Sequence, residues 1–166
     1  MRLMLKHIFV LTAFVIALSG TALAQNASEI AKVQSGQSCA GCNLFQAELS
    51  YSTLSGLNLS GSRLRQANMT IAIMDHADLS GANLSIANLY GARLTGANCK
   101  GTNFEDAILV ATYLGGVNFS GANLNNTNLS GAEAATAIGL TQTQLNTACG
   151  DDSTQLPTGL ILRKCQ

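Results

Sequence analysis

The sequence predicts a solenoid, and two observations carry that prediction. An apolar residue stands at every fifth position from Leu44 to Leu129 without a missed beat, as "SGANLSIANLYGARLTGANCKGTNF" (80–104) shows with Leu84, Leu89, Leu94, Cys99 and Phe104. Two residues before each, the position is small, most often Ala, with Leu57 the clear exception; one residue before, it is most often Asn. Neither regular element accepts this spacing. On an α-helix of about 3.6 residues per turn, a step of five winds the column around the cylinder. On a strand of period 2, an odd step sends alternate leucines to opposite faces. A chain that turns a corner every five residues buries them all, and a self-similarity this long marks a stacked repeat architecture.

The stretch "ADLSGANLSIANLYGARLTGAN" resembles the pentapeptide repeat family, whose consensus is A-(D/N)-L-x-x. The resemblance covers roughly residues 42–131. It implies an all-β solenoid, a right-handed quadrilateral parallel β-helix of about 4.5 coils with four pentapeptides per coil. The central Leu or Phe and the preceding small residue would point inward and the other three positions outward. Stacked coils about 4.8 Å apart would pair their backbones with the neighbours above and below. Each buried Leu or Phe would contribute on the order of 1.5–3 kcal/mol.

The chain opens with "MRLMLKHIFVLTAFVIALSGTALAQ". Arg2 and Lys6 precede an uncharged apolar run from Ile8 to Leu18, and Ala22-Leu23-Ala24 forms an A-x-A site, the pattern of a cleaved secretory signal over 1–24. The run is too short for the roughly 20 residues that cross a bilayer, so no membrane span is expected after cleavage. No Cys follows it, which argues against a lipid anchor. The mature chain is expected to start at Gln25 and to be exported, to a bacterial periplasm or beyond. Residues 25–41 are polar and read as a loose leader and first-coil cap, 42–133 as the solenoid, and 134–166 as the C-terminal cap.

Removing Arg2 and Lys6 leaves seven basic against nine acidic residues, a balance that predicts neither a nucleic-acid-binding face nor a strongly acidic one. In an oxidising compartment the five cysteines favour bridges over redox or metal sites. With the coil number implied by the resemblance, the solenoid's ends lie some 20 Å apart, far beyond the ~7 Å limit between bridged Cα atoms. Cys149–Cys165 is therefore the expected disulfide, and a tight Cys39–Cys42 ring is left open. Cys99 occupies a Leu position and should be a buried free thiol.

In the tail, Thr141 and Gln144 form a capping-box signature, "TQTQLNTAC" reads as a short helix, and Gly150 suits its C-cap. The tail resembles those that close other exported members of the family, with a short helix, an extended L-P-x-G-L segment (Leu156 to Leu160) and a final Cys. Covering an open β-helix end prevents end-to-end assembly, so a monomer is expected.

Nothing predicts catalysis, a cofactor or a metal. Asp75, His76 and Asp78 in "MDHAD" and Glu105 with Asp106 in "NFED" fall on outward positions that are polar throughout the repeat. Folding the repeat modulo 20 sorts the outward residues onto four sides, and one corner departs from consensus. Tyr51, Ile71, Tyr90 and Val110 end one side; Ile73, Arg93 and Tyr113 begin the next. These residues form the candidate interaction patch. The expected function is a non-catalytic exported module presenting a rigid surface to a partner protein or cell-envelope component. The alternative, drawn from the family, is a DNA mimic that protects or inhibits a topoisomerase.

Overall fold

Each five-residue unit makes one side and one corner, and its five backbone N–H groups account for its sequence. The computed structural model describes residues 26–166, so the secretory signal expected over 1–24 and the start at Gln25 lie outside the described residues. In the unit around Leu84, Ala82 N donates within the turn to Leu79 O. Asn83 N reaches down one coil to Ser62 O, while Leu84 N and Ile86 N reach up to Asn103 O and Glu105 O. Only Ser85 N lacks a backbone acceptor, and Asn83 Oδ1 takes it at 3.0 Å. The consensus Asn is thus a structural part, an Asx turn serving the one donor the ladder leaves over. Asn58, Asp78, Asn98 and Asn118 serve Ser60, Ser80, Lys100 and Ser120 in the same way.

Parallel bridges link residues 20 apart into four ladders. Side 1 stacks Asn43, Arg63, Asn83, Asn103 and Asn123; side 2 stacks Glu48, Asn68, Asn88, Ile108 and Asn128. Side 3 stacks Thr53, Ile73, Arg93, Tyr113 and Glu133, and side 4 stacks Asn58, Asp78, Asn98, Asn118 and Ile138. The central column is buried at every fifth residue from Cys39 to Ala134. Phe104 and Phe119 meet edge to face inside one coil, with ring centroids 5.9 Å apart. Buried hydroxyls replace Ala at some small positions: Ser62, Thr102 and Thr127 donate to the carbonyls of Cys39, Leu79 and Phe104. Among the described residues no buried side-chain polar atom lacks a partner. Ser85, expected outside, is only 7% exposed. Cys99 is a free, fully buried thiol whose pKa is pushed up by burial and by the nearby Asp78 charge.

Both ends differ from the expectation in detail. Over its described part, 26–41, the expected loose leader is ordered: helix α1 (Ala27–Gln34), N-capped by Asn26, covers the first coil with Val33 buried. Side chains of α1 and of the segment after it stand in for a missing coil. Glu29 Oε2 accepts from Asn43 N at 2.6 Å, Gln34 Nε2 donates to Glu48 O, and Ser38 Oγ accepts from Asn58 N. The expected boundary at 134 is crossed by the solenoid, since Ala134 is buried in the column and Ile138 pairs with Asn118.

Helix α2 (Gln142–Leu145) has the expected capping box, but it ends at Asn146 rather than running to a cap at Gly150. The chain is recaptured by the ladders there. Cys149 pairs with Asn128 on side 2 and Gln155 with Glu133 on side 3, at spacings stretched to 21 and 22 residues. Gly150 lies in strand β1 (Cys149–Gly150), parallel to β2 (Arg163–Lys164). The structure closes Cys149–Cys165 (Cα–Cα 4.9 Å) and Cys39–Cys42 (5.5 Å). Among the described residues no helix is long and apolar enough to cross a membrane.

Candidate interaction surface

Side 3 is where the repeat abandons its own rule. Sides 1, 2 and 4 spend most of their outward Asn and Asp side chains on the next corner's N–H. Side 3 carries no Asn or Asp at that position in any coil, only Thr53, Ile73, Arg93, Tyr113 and Glu133. Its outward residues are released from the structural duty that fixes the others.

The corners leading into sides 2 and 3 show a second departure. The second corner residue has positive φ throughout, whether it is Gly81 (+64°) or not. At two such corners the residue is isoleucine: Ile71 at +56° and Ile86 at +59°. A β-branched side chain there is an outlier, costing roughly 1–2 kcal/mol against glycine. Both isoleucines are also exposed. Stability favours neither isoleucine at these positions.

The sequence holds three tyrosines and all three lie on this flank, Tyr51 71% exposed, Tyr90 49% and Tyr113 46%, beside Ile71 at 44%. Tyr90 and Val110 hold equivalent corner positions on successive coils, and Gly91 N donates to Val110 O. Ile73, Arg93 and Tyr113 are successive rungs of one ladder. Ile73 and Val110 are half-buried, and the other five residues of the expected patch are exposed. The tail reaches this corner only at its last coil, where Ser130 Oγ lies 3.7 Å from Cys165 Sγ and Asp151 Oδ1 accepts from Gly131 N. Ile86 and Ile108, outside the expected patch, are also exposed, on side 2 or its leading corner. Folding the sequence at period 20 places them, but only the positive φ makes Ile86 unusual.

Arg93 is not a free cation. Its guanidinium pairs with Asp75, with Nε to Oδ2 at 2.6 Å. Burial raises the Asp75 pKa, but the Arg93 hydrogen bond and charge, with two bonds from Thr95, outweigh it and leave the group below its ordinary value. The Ser80 hydroxyl, against some desolvation and aided by Asn98, likewise lowers Asp78, and Ser50 and Asn68 lower Glu48. Groups depressed in the folded state stabilise it above their unfolded pKa and lose that contribution as pH falls through the folded value. Thermal stability is therefore expected to fall as the pH drops through and below the ordinary aspartate value of 3.8. Melts recorded across that range check this, and Asn98→Leu should flatten the profile. His76 lies over Gly96, where an added Cβ would come within 2.6 Å of the ring, and among the described residues no metal-binding cluster forms around it.

A family model described as pentapeptide repeats (8 copies) matches residues 42–81, 72–109 and 109–134. The chain belongs to the pentapeptide repeat family. Members of this family among the solved structures fold as right-handed quadrilateral β-helices. Rfr23 from the cyanobacterium Cyanothece 51142 is 24% identical with a TM-score of 0.51, covering 78% of this chain and 97% of its own. HetL of Nostoc sp. PCC 7120, involved in heterocyst differentiation regulation, is 30% identical with a TM-score of 0.43, covering 68% of this chain and 54% of its own. A pentapeptide repeat protein of the Arabidopsis thaliana thylakoid lumen is 30% identical with a TM-score of 0.40, covering 74% of this chain and 83% of its own. No curated protein matches the sequence.

Proposed function

We propose that this pentapeptide repeat protein is a non-catalytic exported module that presents the corner between sides 2 and 3 to a partner protein or envelope component. The observation that carries the reading is the confinement of all three tyrosines to that flank, where tyrosine supplies contact area at low entropic cost. The polar sides are a poor second choice, because their Asn side chains are already engaged with their own backbone. Export, to the periplasm or outside the cell, is supported by the signal-like start and by a disulfide at each end of the rod. A DNA-mimicking inhibitor would need carboxylates in rows, and among 43–138 none of the four outward ladders carries two.

The test is capture from an envelope fraction. Tyr51→Ser with Tyr90→Ser is expected to abolish capture while shifting the melt little, since both rings stand in solvent. Capture that survives both changes, or a mature protein found in the cytoplasm with Met1 retained, overturns the reading.

A further inference from the structure

A shallow groove of about 230 Å³ lies on side 3 and its trailing corner, beside the aromatic corner but distinct from it. Tyr113, Glu133 and Gln155 line it as three successive rungs of one ladder, and Thr95, Gly115 and Thr136 form its shoulder. Among the described residues the Tyr113 hydroxyl, the Glu133 carboxylate and the Gln155 amide have no side-chain hydrogen bond, although all three are exposed. Thr136 Oγ1 accepts from Gly116 N, and Thr95 donates to Asp75, so the shoulder is held in place.

Gly115 makes the groove. The corner residues around it show positive φ, but Gly115 does not, so its backbone does not require glycine. An added Cβ would meet only Thr136 Oγ1, at 3.4 Å. The missing side chain therefore opens space beside Tyr113 rather than relieving strain.

We infer that this groove binds one ring of a neutral pyranose glycan. The inference goes beyond the function proposed above and shares only Tyr113 with the surface that function uses. Such a sugar has one face of C–H groups, suited to the negative face of a tyrosine ring, and a rim of hydroxyls. The rim needs acceptors and donors at fixed spacing. A carboxylate accepts two hydroxyls, an amide both donates and accepts, and a phenol does either. The volume lies below the ~300–1,000 Å³ of drug-sized sites, which fits one ring of a longer chain lying along the rod. With Arg93 already neutralised by Asp75, the Glu133 charge stands alone in the groove and selects against uronic acids.

Isothermal titration of the full chain with chitotetraose, cellotetraose and tetragalacturonate tests this. At least one of the neutral tetramers is expected to bind in the millimolar range or tighter, and the anionic tetramer is not. Tyr113→Ala should weaken binding about tenfold. Gly115→Leu should abolish it at an unchanged melting temperature, because the added side chain fills only the groove. Glu133→Gln should admit the galacturonate. No binding of either neutral tetramer, or undiminished binding by a folded Gly115→Leu, overturns the inference. Tyr51 and Tyr90 lie outside the groove, so their double variant can fail without touching glycan binding, and the converse holds for Gly115→Leu.

Discussion

Leu84→Asp is expected to abolish the cooperative melt followed by circular dichroism, whereas Asn83→Asp should leave it within about a degree or two. Leu84 is fully buried in a column with Leu64 and Phe104 as its axial neighbours. A carboxylate there would be desolvated with no donor in reach, since the backbone N–H groups of the unit are already committed. Losing the leucine removes about 1.5–3 kcal/mol, and the unpaired polar group adds several more. The total rivals the stability of a typical domain. One residue away the outcome reverses, because Asn83 contributes an acceptor to Ser85 N and aspartate keeps that acceptor. Asp78 already makes the same bond to Ser80. A normal melt for Leu84→Asp would falsify the register.

The second large effect is expected from Cys149→Ser with Cys165→Ser. The bond spans 16 residues, and a loop of that size corresponds to about 3 kcal/mol of cross-link stabilisation. At roughly 2–4 °C per kcal/mol, the melting temperature should fall by about 6–12 °C. The loss should concentrate at one end. The disulfide ties β2 to β1, which covers the last turn of side 2, where Leu129 N donates to Cys149 O. Without the clasp, Leu145, Ala148 and the final coil gain access to solvent, and size-exclusion chromatography should show oligomers joined through that end. A double variant that melts normally and stays monomeric would show the cap held by packing alone.

The interior was legible in the sequence because its rule is local. The same five-residue demand is repeated until composition cannot mimic it, so each column residue announces its own burial. The small position was readable for the same reason, including Ser62 and Thr102, whose hydroxyls turn to a carbonyl a coil below. The caps were less legible. Nothing in "ASEIAKVQ" says that Glu29 and Gln34 will occupy hydrogen-bonding positions of an absent coil, because that use exists only once the first coil is folded. The tail misled differently. "TQTQLNTAC" satisfies helix rules through Ala148, but the open edge of side 2 competes for Cys149 and Gly150 and pulls them into pairing. For the surface, the period-20 sorting puts the tyrosines along one flank, where the structure shows their rings exposed. It could not find the groove, which depends on a glycine whose backbone has no need to be one.

Almost every ladder bond in this rod runs along its axis, from one coil to the next, and within a coil only the corner bonds hold the chain to itself. The molecule is therefore wound like thread on a spool. Force applied sideways meets all the coils at once, but a loose end can be drawn off one loop at a time, each loop giving way without help from those beneath it. What keeps such a spool wound is the fastening of its two thread ends. Cys39–Cys42 and Cys149–Cys165 lie at those ends, and none of their four cysteines ties one middle coil to another. A reductant reaching these bonds would leave the middle untouched and free the thread at both tips.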